Sequence, residues 1–431
     1  MHVGPWYKRR RRWDAQAAPY RLGPGLVTGA ADDDPSGIAT YSQAGAQFGY
    51  ATLWTLFLTI PLMIAVQIIS ARVGAASGKG LIANIARHHG RPLLVTLVAM
   101  LFAANVFNIA ADIAAMGEAL RLVVGGPPNG HALVFALVTL LLQLFVPYRR
   151  YAEFLKWSTL VLFVYVAAAL TLAVPWRQVA RAFVFPDIRL TSDYLLIVVA
   201  VLGTTISPYL FFWQAAQEVE EAHRAVSPRR RTSAAKAQHM AVERIFVDTT
   251  VGMIFSNLVA GFIVITAAAA LHANGVTEIR TAAEAAEALR PVAGDLTFAL
   301  FAIGIIGTGL LAVPVLAGSV AYAAAELFAW QSSLELMPWR ASGFYGTIVL
   351  AVGLGVAIDY MDADPIRMLV WSAVVNGIVA VPMMAMLMRL THVPEAIGLP
   401  LPGRALRWLG WAATLVMGAV VLALAWTSLS G

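Results

Sequence analysis

Three consecutive carboxylates, Asp32-Asp33-Asp34, run directly into Pro35, Ser36 and Gly37, and the hexapeptide sits inside an apolar stretch. Leu22 to Ala31 leads in and Ile38 to Tyr50 leads out, close to the roughly 20 residues that cross a bilayer. Proline lacks an N–H and clashes with the preceding turn, and glycine is a weak helix former, so the run reads as a broken transmembrane helix. Such a break frees backbone carbonyls and puts carboxylates at membrane depth. Irregular backbone is tolerated there only when buried in protein or lining a watery cavity, and ionisable groups at that depth usually serve function. The chemistry on offer is cation binding by hard oxygens. The same residues would also suit an acidic surface turn joining two short helices.

A second interruption answers the first. Val198 to Leu202 is apolar, Gly203-Thr204-Thr205-Ile206-Ser207-Pro208 interrupts, and Tyr209 to Gln214 resumes. Thr204 and Ser207 add hydroxyl oxygens, although Ser and Thr in helices often bond back to the carbonyl one turn earlier. Two interrupted segments at corresponding positions of two halves point to an inverted-repeat transporter with its site at the midplane.

The elements that must position these residues follow from composition. The chain has 431 residues, 59% hydrophobic and 13% charged, with a mean hydropathy of +0.73; soluble domains carry about 25% charged residues. This is an all-α polytopic membrane protein whose partner is the lipid bilayer. The net charge of +6 lies in short connections between apolar runs, which argues against nucleic acid. The absence of cysteine excludes disulfides, thiolate metal sites and a cysteine nucleophile. No His-Glu-x-x-His, Gly-x-Ser-x-Gly or Gly-x-Gly-Asp pattern supports an enzyme.

Eleven spans are expected, at about 22–46, 50–71, 92–122, 131–147, 157–174, 194–220, 245–271, 296–328, 343–358, 365–389 and 406–428. They divide into a basic N-terminal segment (1–21), a first five-helix repeat (22–175), a second (194–389) and an accessory eleventh helix (406–428). With the N-terminus inside, most of the 30 Lys and Arg fall in the cytoplasmic connections, as the positive-inside rule requires. No cleaved signal peptide is apparent. A bacterial inner (plasma) membrane and a monomer are expected. Within the third span, Asp112 reads either as a proton or ion relay or as a group paired with Asn105 or Asn108. Glu118 sits near that span's end. Glu218, Glu220, Glu221 and Asp248 read as an exit path or as solvated helix ends. Asn257 and Asn376 read as interhelical glue.

Gly23-Pro24-Gly25, Asp34-Pro35-Ser36-Gly37 and Tyr41-Ser42-Gln43-Ala44-Gly45-Ala46-Gln47-Phe48-Gly49-Tyr50 resemble the first helix of the Nramp divalent-metal transporters, whose hallmark there is Asp-Pro-Gly-Asn. Gly203 to Gln214 resembles that family's sixth helix, and Ala111-Asp112-Ile113-Ala114 part of its third. The resemblance implies the leucine-transporter-like fold, an inverted 5+5 repeat with helices 1 and 6 unwound around a metal ion. It also implies that Asp34 is the metal-ligating aspartate. Departures are specific. The family's asparagine ligand falls on Gly37, its Ala-x-x-Met on Thr204 and Ser207, its histidine on Tyr209, and its second third-helix acid on Ala115. These losses resemble the Nramp-related magnesium-transporter branch.

The resulting expectation is a secondary transporter of divalent cations working by alternating access, with an oxygen-only site formed from Asp34, Asp33, Thr204, Ser207 and the backbone near Gly37. Hard oxygen sites suit Mg²⁺ and Mn²⁺. Asp112, Glu118 and Tyr209 form a candidate proton or ion path. No cofactor is expected beyond the transported ion. The alternatives are a carrier of a small organic solute or monovalent cation on the same fold, and a metal sensor that no longer transports.

Overall fold

The computed structural model describes residues 23–147, 150, 158–225, 234–361, 364–397 and 402–430. The basic N-terminal segment 1–21 and the Arg229-Arg230-Arg231 cluster lie outside the described residues. Every regular element among the described residues is helical. Among the described residues nine helices are individually long and apolar enough to cross a membrane, and the pair Thr159–Thr171 and Trp176–Val184, bent by 118°, has that length and composition only when taken together. The first broken segment consists of α1 (Pro24–Asp32) and α2 (Pro35–Phe48), each too short alone to cross. The remaining spans are α3 (Leu53–Ser77), α4 (Arg91–Val124), α5 (Pro128–Phe145), α6 (Phe163–Thr171), then α7 (Ser192–Thr205) and α8 (Pro208–Ala225) as the second broken span. They continue with α9 (Ala234–Ala270), α10 (Thr297–Phe328), α11 (Ser342–Asp359), α12 (Pro365–Leu390) and α13 (Arg404–Ser430).

Both breaks fall where proline requires them. Asp33 leaves the helix at φ −85°, ψ 52°, and Asp34 is extended at φ −70°, ψ 171°. A residue before proline is pushed out of the α region, and Pro35, with its φ preset, then opens α2 without needing an N–H. Asp34 is the N-cap of α2 and accepts from the Gly37 N–H. In the second break Ile206 departs at φ −122°, ψ 57°, and Pro208 opens α8.

Small residues hold the upstream half of each break in place. A Cβ on Gly25 would lie 2.7 Å from the Thr249 backbone nitrogen, so α1 lies directly on α9. A Cβ on Gly203 would lie 2.5 Å from the Gly377 nitrogen, so α7 lies directly on α12. Between membrane helices, where apolar surface gains nothing over lipid, close approach through small residues supplies the packing energy. The start of α1 is pinned further by Asp248 of α9. Its carboxylate accepts from the N–H groups of Gly23 (3.1 Å), Gly25 (2.8 Å) and Leu26 (3.2 Å).

Three boundaries differ from the expectation. The 72–91 connection is partly helical, because α3 continues to Ser77 before Gly78 (φ 63°) ends it, and a short helix follows at Leu81–Ile85. The helix of the seventh span begins at Ala234 rather than near 245; good helix formers carry it beyond the apolar segment. The 176–193 connection contains the amphipathic helix Trp176–Val184, which turns sharply away from the fifth span.

Candidate cation site at the two helix breaks

Asp32, Asp33 and Asp34 are at most 1% exposed, which rules out the acidic surface turn. Extended backbone at Asp34 sends adjacent side chains in different directions, and the three carboxylates acquire different surroundings. Asp34 Oδ1 accepts from Ser36 Oγ and the Gly37 N–H, both at 2.7 Å. Its Oδ2 accepts from Asn108 Nδ2 of α4 (3.1 Å) and from the Tyr209 hydroxyl of α8 (3.2 Å). Asn108 in turn accepts at Oδ1 from Ser372 of α12 at 2.7 Å. One carboxylate therefore links the first break to the third, sixth and tenth spans.

Asp32 and Asp33 turn towards α9 instead. Both use Ser256: its hydroxyl is bonded to Asp32 Oδ2 and lies 3.0 Å from Asp33 Oδ1. Asp32 Oδ1 and Asp33 Oδ2 are buried without a hydrogen-bond partner. Asp33, expected beside Asp34, is thus on the other side of the break. Among the described residues no three His, Cys, Asp or Glu side chains converge as a metal cluster.

The two hydroxyls of the second break also part company. Ser207 Oγ bonds back to the Gly203 (2.7 Å) and Thr204 (2.9 Å) carbonyls. Thr204 Oγ1 is buried with no partner and faces Gly37. A Cβ on Gly37 would lie 3.0 Å from Thr204 Oγ1, 3.3 Å from the Asp32 carbonyl oxygen and 3.4 Å from Asp34 Oδ1. The missing side chain at Gly37 is what leaves these three oxygens a common space.

Asp112 does not pair with Asn105 or Asn108. Asn105 donates to the Leu316 carbonyl and Ser319, both at 2.8 Å, and Asn108 is committed to Asp34. Asp112 is buried, neither oxygen has a hydrogen bond of normal geometry, and the Ser36 backbone lies close to it. Glu118 is partly exposed, paired with Arg121 at 2.7 Å, and lines a cavity of about 180 Å³ between α2, α4, α10 and α12. Ala115, at the family's second acidic position, lines the same cavity.

Two of the carboxylates after the second break, Glu218 and Glu220, are tied to other spans rather than solvated. Glu218 is buried against Arg244, and Glu220 accepts from the Tyr322 and Ser333 hydroxyls at 3.0 Å each. Asn257 does bridge spans, accepting from Thr59 of α3 at 3.5 Å. Asn376 is buried with neither polar atom bonded. Sequence reasoning missed Ser256 and Ser372 altogether. The link between Asn108 and the site had a signal: it lies four residues before Asp112, on the same helix face.

Broken first and sixth spans around a shared polar centre define the inverted-repeat, leucine-transporter-like class. The model of the Natural resistance-associated macrophage protein-like family matches residues 25–427, and the chain belongs to that family, Nramp. It is 26% identical over 422 residues to a protein of Mycobacterium tuberculosis called divalent metal cation transporter MntH, covering 96% of this chain and 92% of the relative. A Xanthomonas campestris protein of the same name is 27% identical, covering 82% and 78%. Among solved structures, the Eremococcus coleocola manganese transporter bound to an aromatic bis-isothiourea compound superposes with a TM-score of 0.75 at 17% identity, over 93% of this chain and 85% of that one. The inward-facing conformation of Mhp1 superposes at 0.51 and 14% identity, covering 95% and 92%. At these identities the structural likeness concerns the fold.

Proposed function

We propose that this chain carries a divalent cation across the membrane by alternating access, and that the ion seats at the first break against Asp34, Thr204 and the freed Asp32 carbonyl. The observation that carries this is the convergence of a carboxylate, an unpartnered buried hydroxyl and a backbone carbonyl on the space left open at Gly37. The named function of the curated relatives, divalent metal cation transport, is in keeping with it. The two five-helix repeats, 22–175 and 194–389, are the moving halves. The N-terminus is cytoplasmic and the membrane a bacterial inner one.

A carboxylate offers about four lone-pair positions, and Asp34 has four donors. An arriving ion therefore displaces at least one. The oxygen facing the Gly37 space is Oδ1, whose donors are Ser36 Oγ and the Gly37 N–H, so the ion displaces the Ser36 hydroxyl there, while Asn108 and Tyr209 hold Oδ2. Tyr209 stands where the family has histidine, and a phenol with an ordinary pKa near 10 is a poor proton relay at neutral pH. Transport is therefore uncoupled, or weakly coupled, to protons.

The site has no sulfur. Hard oxygens suit Mg²⁺, with Mn²⁺ second. The test is a liposome flux panel of Mg²⁺, Mn²⁺, Ca²⁺ and Cd²⁺ with a pH dye inside. Wild type moves Mg²⁺ and Mn²⁺ without stoichiometric acidification, and Asp34→Ala is inactive though folded. Wild-type flux in Asp34→Ala removes the site assignment. Stoichiometric acidification refutes the uncoupled mechanism.

A further inference from the structure

We propose a second divalent-cation subsite on the α9 side of the first break, formed by Asp32, Asp33 and Ser256 with Tyr41 and Thr204. The inference rests on the divalent-cation reading of Asp34 and deepens it: cargo occupies two adjacent positions.

The starting point is a deficit of donors. Asp32 and Asp33 are fully buried, and the single side-chain donor between them is Ser256. One hydroxyl carries one proton, so it can satisfy only one of the two carboxylates at a time. Among the described residues neither is paired with a Lys or Arg. Buried carboxylates persist when paired or when they coordinate a cation. Here the pairing is missing and the outward oxygens, Asp32 Oδ1 and Asp33 Oδ2, are without partners.

Further hydroxyls lie near the same carboxylates. The Tyr41 hydroxyl on α2 and Thr204 Oγ1 on α7 are both buried, meet no partner at full hydrogen-bond geometry, and face one another, with Tyr41 within electrostatic reach of Asp32 and Asp33. Two carboxylates, these two hydroxyls and the Ser256 oxygen make a hard oxygen set. Its two negative charges match one divalent ion. Thr204 also faces Gly37, so it stands between the two positions and can serve either. The two subsites divide the first break between them: Asp34 faces the third, sixth and tenth spans, whereas Asp32 and Asp33 face the seventh. A second ion beside Asp34 would lower the affinity of the first by mutual repulsion, which favours release of the cargo.

The test is titration calorimetry of purified full-length protein with Mn²⁺, together with the Mn²⁺ electron paramagnetic resonance spectrum. Wild type binds two ions per chain, and the spectrum of the doubly loaded protein is broadened by the neighbouring ion. Asp33→Asn removes the second binding step and the broadening while the Asp34 step remains. Ser256→Ala, a milder change that guards against misfolding of the Asn variant, weakens the second step about tenfold, or about 1.4 kcal/mol. One ion in wild type, insensitive to Asp33→Asn and lost in Asp34→Asn, overturns the second subsite and leaves the cargo site standing. No ion in wild type overturns both.

Discussion

The two helix breaks are built from similar residues but held in opposite ways. At the second break the chain satisfies itself. Ser207 bonds to Gly203 and Thr204, Thr205 bonds to Val201 and Leu202, and the Ile206 N–H bonds to Leu202. At the first break the side-chain partners come largely from elsewhere: Asn108 and Tyr209 for Asp34, Ser256 for Asp32 and Asp33. A self-contained break behaves as a rigid part. A break whose bonds reach other spans responds to their movement and transmits its own. The first break is therefore tied to the third, sixth and seventh spans, whereas the second is held within its own segment.

If the space at Gly37 is the ion's seat, filling it has the largest effect. A Cβ there meets Thr204 Oγ1 at 3.0 Å, tighter than ordinary contact, and fills the gap between the proposed ligand oxygens. Gly37→Ala lowers apparent Mg²⁺ affinity on the order of a hundredfold, or about 2.7 kcal/mol, with little change in thermal stability. Flux measured against Mg²⁺ concentration checks it. Unchanged affinity would place the ion elsewhere in the break.

The cross-span ties of the first break come next. Asn108→Ala removes a bond to a buried charge and also the oxygen that accepts from Ser372, whose hydroxyl keeps only the Leu369 carbonyl. Bonds to charged groups contribute about 1.5–3 kcal/mol, so Tm falls, and cation affinity weakens roughly tenfold. The matching tie within the second break has no such reach. Tm and calorimetric Kd for the same variant decide whether stability and binding fall together. A change in Tm alone reduces Asn108 to packing.

Much of this architecture was legible because it is local. Asp32 to Gly37 and Gly203 to Pro208 announce breaks through proline geometry and helix propensity, which act within a turn. What the breaks face was not legible. Ser372 lies 264 residues from Asn108, and Ser256 lies 224 from Asp32; nothing in the spacing of either serine marks it. Nor does sequence separate Thr204 from Ser207. Both are small hydroxyl residues three apart in one apolar segment, and only side-chain direction in the folded chain makes one a free oxygen and the other a helix tie. Asp112 is the converse case. Its burial was legible, but the expected partners are occupied, leaving a carboxylate beside the Ser36 backbone one step from the site.

That divergence between Thr204 and Ser207 supplies the finest test of the comparison. Thr204→Val replaces an unpartnered buried hydroxyl with a methyl of similar volume. At most the weak contact with the Tyr41 hydroxyl is lost, so stability changes little, but the ion loses an oxygen and its affinity falls about threefold to tenfold. Ser207→Ala is the mirror image. It deletes the back-bond to the Gly203 and Thr204 carbonyls, which costs about 1 kcal/mol of stability, while the ion keeps its ligands and Kd changes by no more than about twofold. Thermal unfolding and calorimetric titration on both variants give four numbers whose pattern is fixed in advance. Should Ser207→Ala weaken binding while Thr204→Val does not, the oxygen facing the ion is the one at 207, and the second break contributes by its proline turn rather than by the wall of α7.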